Sequence, residues 1–136
     1  MSRYVAILDG KKGAYGVIIP DLPGCTAMGR TVDEALRSAA GAARAWAEVA
    51  RADGVPLAPP HPIETLRNDP DVAEAIAEGA ALAMVPLVLD TGRPARANLS
   101  LDAGLLAALD EAAAAKGLTR SAFVASAVRE KIVDDA

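Results

Sequence analysis

The chain is 136 residues long, 52% hydrophobic and 24% charged, with a formal net charge of −4; that composition excludes a disordered chain, and the acidity argues against a general polyanion binder while leaving room for a local basic face. Only 3% of residues are aromatic and Ala is the commonest residue, so the core must be built from small aliphatic side chains at close approach. No apolar run reaches the roughly 18 residues of a membrane span, Met1 to Gly10 has no signal-peptide pattern and Cys25 is the only cysteine, which excludes an internal disulfide and leads to the expectation of a cytoplasmic, membrane-free protein.

The first elements are short apolar runs, Tyr4–Leu8 and Tyr15–Ile19, joined through Asp9-Gly10-Lys11-Lys12-Gly13. Glycines permit a tight reversal, so this reads as a β-hairpin with its turn over 9–13. Pro20-Asp21-Leu22-Pro23-Gly24 is turn chemistry, and a third strand is expected over Cys25–Met28, ended by Gly29. The period then changes. Thr31-Val32-Asp33-Glu34 fits a capping box, and Val32, Ala35, Leu36, Ala39, Ala43, Trp46 and Ala50 recur at helical spacing until Asp53-Gly54. Trp46 on that stripe reads as packing. Residues 55–62 hold four prolines and read as a stiff, extended connector. A single helical turn is expected at 64–68. A short helix follows, capped by Asp69 with Pro70 in its first position. Leu82–Leu89 reads as a strand that Pro86 confines to a sheet edge or a bulge. Asp90 to Pro94 is a linker, which sets the expected domains at 1–92 and 93–136.

The C-terminal unit opens with an alternation: Arg96, Asn98 and Ser100 to one side, Ala97, Leu99 and Leu101 to the other. Asp102 caps a helix to about Lys116, Gly117 supplies its left-handed stop, and Thr119 caps a helix from Arg120 to about Val133, with Leu118 and Phe123 placed as a hydrophobic staple. One strand cannot satisfy its own backbone groups, and about 40 residues are too few to be stable without help. The direct solution is a homodimer whose two strands pair antiparallel, burying Leu99 and Leu101 and displaying Arg96, Asn98 and Ser100 twice. A two-stranded ribbon fits the DNA major groove, where Arg matches guanine, Asn matches adenine and Ser adapts to either. The start of the second helix, Thr119, Arg120 and Ser121, suits a phosphate. Residues 93–136 hold six basic and six acidic side chains, yet 93–101 hold Arg93 and Arg96 and no acid. Alternation alone is also what any exposed strand shows.

The stretch from Arg96-Ala97-Asn98-Leu99-Ser100-Leu101 through Gly117-Leu118-Thr119-Arg120-Ser121-Ala122-Phe123-Val124 resembles a ribbon-helix-helix DNA-binding domain. That resemblance assigns base contacts to Arg96, Asn98 and Ser100, and phosphate contacts to Thr119, Arg120 and Ser121. The segment Ile19-Pro20-Asp21-Leu22-Pro23-Gly24-Cys25 followed by Thr31-Val32-Asp33-Glu34-Ala35 is similar to the HicB antitoxin pattern. Together the two halves imply an α+β chain: a partial RNase H-like β-β-β-α-β domain, then a ribbon-helix-helix (β-α-α) domain. They also imply the antitoxin of a type II toxin–antitoxin pair. Such a protein neutralises a HicA-type mRNA-cleaving toxin and represses its own operon on operator DNA as a homodimer or higher oligomer. Two departures stand out. Residues 63–81 insert extra helix before the last strand, and the DNA-binding unit has no net positive charge, which predicts modest affinity for non-specific DNA.

Catalytic chemistry finds little in the sequence. An RNase H-like nuclease needs clustered carboxylates for metal ions, but Asp9 and Asp21 read as turn residues, Glu34 as a cap and Asp33 as an acid favoured in a first helical turn. His61 lies in the proline-rich connector without a nearby ligand partner, and Cys25 would need a paired base to act as a nucleophile. The expectation is therefore no catalytic residue, no metal and no cofactor. Residues 1–92 hold eight basic and twelve acidic side chains, a charge of −4 suited to steering toward a basic toxin. Two other classes stay open at this point: a ribbon-helix-helix repressor whose first domain senses a ligand, and a metal-dependent nuclease tethered to DNA.

Overall fold

The computed structural model describes residues 1–135; residue 136, the last of the second expected domain, lies outside the described residues. The chain divides into two compact units, Met1–Leu89 and Asp90–Asp135.

In the first unit β1 (Ser2–Lys11), β2 (Ala14–Ile18), β3 (Thr26–Gly29) and β4 (Ala81–Leu87) form one sheet in the order β3-β2-β1-β4. Every pairing is antiparallel. The first turn is tighter than the sequence suggested. Gly10 pairs with Tyr15 and Lys11 with Ala14, which leaves Lys12-Gly13 as a two-residue loop; such loops match the strand twist, so pairing continues through residues read as a turn. Pro86 does sit on an edge strand, where its missing N–H costs no ladder bond.

Helix α1 (Val32–Ala52) starts where the Thr31 hydroxyl accepts the Glu34 N–H at 3.1 Å. Its buried residues are all alanines: Ala35, Ala39, Ala40, Ala43, Ala47 and Ala50. Alanine favours the helix, and its short side chain brings the helix axis close to the sheet. Gly29 marks the nearest approach, since a Cβ there would lie 2.7 Å from Ala35 Cα. Tyr4, Val5, Ala6, Val17 and Val85 make up much of the sheet's contribution to the core.

The inserted segment has a geometric role. Helix α1 is about 31 Å long at 1.5 Å per residue, and an extended run of eight residues, 55–62, spans about 25 Å. The connector is thus long enough to cover most of the helix's length before the chain reaches α2, α3 and β4, which pairs antiparallel with β1. Tyr4 pins it by donating its hydroxyl to Ala58 O at 2.9 Å, and Asp21 pins it by accepting the His61 N–H at 2.8 Å. Two short helices, α2 (Ile63–Arg67) and α3 (Pro70–Ala77), complete the return. Asp69 caps α3 by accepting the Asp71 N–H at 3.0 Å.

In the second unit α4 (Ala103–Ala115) and α5 (Arg120–Asp134) are joined by a tight turn. Asp102 accepts the Gly104 N–H at 2.9 Å, and the Thr119 hydroxyl accepts the Ala122 N–H at 3.1 Å. Both helices therefore begin at the expected caps. The expected strand over 95–101 is not formed: residues 93–102 have no regular secondary structure. A strand is completed by a neighbour, and this chain contains none for it.

Candidate functional site

The second unit lacks a core of its own. Ala113 is its only buried hydrophobic side chain among the described residues, and α5 buries none. Leu99, Leu101, Leu105, Leu118 and Val128 are all exposed. Both helices carry apolar residues at packing intervals that the single chain leaves uncovered. One strong polar tie holds the unit's beginning in place: Arg129 Nη2 donates to both carboxylate oxygens of Asp90 at 2.8 Å.

Arg96, Asn98 and Ser100 are exposed and two residues apart in the irregular segment, as are Ala97 and Leu99 between them. Thr119, Arg120 and Ser121 lie together at the start of α5. Two of these three already have partners. The Thr119 hydroxyl oxygen is occupied as the cap. Arg120 makes a two-point pair with Asp110, Nε to Oδ1 and Nη2 to Oδ2, both at 2.8 Å. The hydrogen bond from Arg120 holds the Asp110 carboxyl below its usual range, and the same bond raises the guanidinium. Beside them Lys116 Nζ lies 5.8 Å from the Phe123 ring centroid, at cation–π range.

In the first unit the carboxylates Asp9, Asp21, Asp33 and Glu34 do not assemble: among the described residues no three His, Cys, Asp or Glu side chains gather at metal-binding range. Asp9 accepts its neighbour Gly10's N–H at 2.7 Å. Asp21 instead grips His61, with Nδ1 2.7 Å from Oδ1. Sequence reasoning missed this pair because its members lie 40 residues apart and in different turns. Burial raises the Tyr4 phenol, and the Asp21 charge adds to it. Burial likewise pushes the Cys25 thiol up, away from the thiolate a nucleophile requires.

An open groove of about 510 Å³ runs between the C-terminal half of α1, the β2–β3 loop and the start of the connector. Cys25 and Ala50 are its buried residues, and Trp46, Val49, Val55 and Asp53 are among those that line it. Trp46 is half-buried and donates its indole N–H to Pro23 O at 2.9 Å, which fixes the ring. Val55 is placed by the helix end: Gly54 adopts φ +71°, Gly54 N–H bonds Arg51 O and Val55 N–H bonds Ala50 O, a Schellman stop.

The antiparallel sheet backed by an alanine-faced helix, followed by a two-helix unit without a core, defines an α+β chain of the antitoxin HicB fold. It is similar to the crystal structure of the Burkholderia pseudomallei antitoxin HicB, at 29% identity and a TM-score of 0.57, over 94% of this chain and 96% of that one. It is also similar to a crystal structure of antitoxin HicB3, at 28% identity and a TM-score of 0.53, over 96% and 98%. In a HicA3 and HicB3 toxin–antitoxin complex the matching chain is 26% identical with a TM-score of 0.52, over 65% of this chain and 98% of that one. The model of the HicB-like antitoxins of bacterial toxin–antitoxin systems matches residues 4–128, and the chain belongs to that family. No curated protein matches the sequence. Among the described residues no helix is long and apolar enough to cross a membrane.

Proposed function

We propose that this antitoxin neutralises a HicA-type mRNA-cleaving toxin through its first unit and represses its own operon by binding operator DNA as a homodimer through its second. The observation that carries the DNA half is the uncovered apolar seam of residues 99–128. A second copy pairing its 95–101 segment antiparallel buries Leu99 and Leu101 of both chains between the two helix pairs and satisfies the backbone groups of both segments. Arg96, Asn98 and Ser100 then project from a two-stranded ribbon into a major groove. At α5 the backbone N–H groups of Arg120 and Ser121 carry the phosphate contact, because Asp110 offsets the Arg120 charge.

The toxin half is supported by family membership, by the solved complex of HicB3 with HicA3 and by the acidity of the first unit. An enzyme that cleaves a polyanion is expected to be basic, so opposite charge steers the two together. Inhibition by covering a surface requires no chemistry from the antitoxin.

The experiment is co-expression with the small protein encoded beside the gene, scored by growth rescue, together with electrophoretic shift of the upstream DNA. Rescue and a shift by the native chain are expected. Rescue without a shift would remove the repressor half, and a shift without rescue would remove the toxin half.

A further inference from the structure

We propose that the groove beside Trp46 is the docking site for the toxin, and that it takes an aliphatic side chain next to a Lys or Arg. The inference rests on the antitoxin reading above and assigns it a surface. Three observations meet here. The groove is apolar at its centre, with Val49 61% and Val55 51% exposed although both are aliphatic. Its aromatic wall is rigid before any partner arrives, because the indole N–H is already bonded to Pro23 O. Pre-formed aromatic pockets concentrate binding free energy. Finally, the groove's only charged lining residue is Asp53, at the C-cap of α1.

That placement selects the occupant. A carboxylate at a helix C-terminus faces the negative end of the macrodipole, where a cation is favoured and an anion is not. Asp53 is exposed at that end of the helix. A partner cation set beside Asp53 relieves both charges while a neighbouring aliphatic side chain fills the space between Trp46, Val49 and Val55. A basic RNA-cleaving protein has such pairs on its surface; a second copy of this unit, acidic and with the same Asp53, brings like charge to like.

The test uses the full chain and the HicA-type toxin of its own operon, with affinity measured by calorimetry over a salt series. Val49→Lys alters an exposed helix position, and far-UV circular dichroism checks that the fold is kept. It is expected to raise the toxin Kd roughly tenfold or more. Asp53→Asn is expected to raise it about threefold and to flatten its salt dependence. Ile18→Lys is the control. Ile18 is exposed next to buried Val17, so it lies on the sheet face away from α1, and its Kd should stay within about twofold of native, as expected for a substitution outside the interface. Native affinity in both groove variants overturns the proposal, as does loss of binding in Ile18→Lys alone. A changed oligomeric mass in Val49→Lys with unchanged toxin affinity assigns the groove to a second copy and also overturns it. Failure of the native chain to bind the toxin overturns the antitoxin reading itself, which separates that failure from an error about the groove.

Discussion

Leu99→Ala tests the proposed dimer directly, because its cost would fall on association and not on the single chain. Leu99 is 68% exposed in the single chain, so its truncation removes almost no contact there. The change deletes three side-chain carbons, worth about 0.8 kcal/mol each when fully buried. Scaled to the fraction still available for burial, that is about 1.6 kcal/mol per chain, and about 3 kcal/mol per dimer since both copies change. The dimer dissociation constant should therefore rise on the order of 200-fold. Sedimentation equilibrium across a concentration series reads this number. Urea unfolding of the first unit, which has its own core, should keep its midpoint. An unchanged dissociation constant would show that Leu99 does not face a second copy, and a loss of first-unit stability would show that the two units do not divide the work as argued.

Arg96→Ala should weaken specific operator binding by about 1–3 kcal/mol, the value of a bidentate guanine contact, and an unchanged operator affinity would take Arg96 off the reading face. Gly29→Ala should lower first-unit stability by about 2 kcal/mol, since the new Cβ meets the Ala35 and Glu34 backbone, with Glu34 C at 2.8 Å. Gly41→Ala, in α1 with nothing within 4 Å of the added methyl, should instead stabilise by up to about 1 kcal/mol; urea titrations that rank the two the other way would contradict the close approach at Gly29. Asp110 should titrate below the usual 3.8 because of its hydrogen bond from Arg120. A depressed carboxyl adds stability above its unfolded pKa, and that stability is lost as the pH falls through the folded value. Carboxyl carbon NMR should show the Asp110 midpoint returning toward 3.8 in Arg120→Gln, and equal midpoints in the two proteins would refute the pairing.

Much of the fold is legible locally because caps and stops are local. Thr31, Asp69, Asp102 and Thr119 each start a helix where the sequence places one, and each accepts a backbone N–H from two or three residues further on. The alanine stripe of α1 likewise needs only its own spacing. What depends on distant partners is not legible. Asp9-Gly10-Lys11 has turn composition, yet it is paired in β1 because Ala14 to Gly16 lie opposite. The return of the chain toward β4 runs through a connector that is held by Tyr4 and Asp21, 54 and 40 residues before the groups they bond. Arg120 reads as a free cation until Asp110, ten residues earlier, is brought beside it by the turn between α4 and α5. The 95–101 segment is the limiting case: its alternation is plain in the sequence, and the partner that would make it a strand is not in the chain at all.

That asymmetry between the units carries a regulatory consequence for the proposed function. The first unit closes its sheet and core within one chain, so its capacity to bind a toxin varies in proportion to antitoxin concentration. In the proposed function the second unit is completed by a copy of itself, and below the dissociation constant of such a dimer the DNA-binding species would vary with the square of that concentration. As antitoxin is depleted, operator occupancy falls sooner than toxin capture. On the proposed function, repression would be released while free antitoxin still covered toxin, and synthesis would restart before neutralisation failed. The order of these two losses follows from where the apolar side chains lie: Tyr4, Val17 and Ile19 are buried in the first unit, while Leu99 and Leu101 remain open in the second.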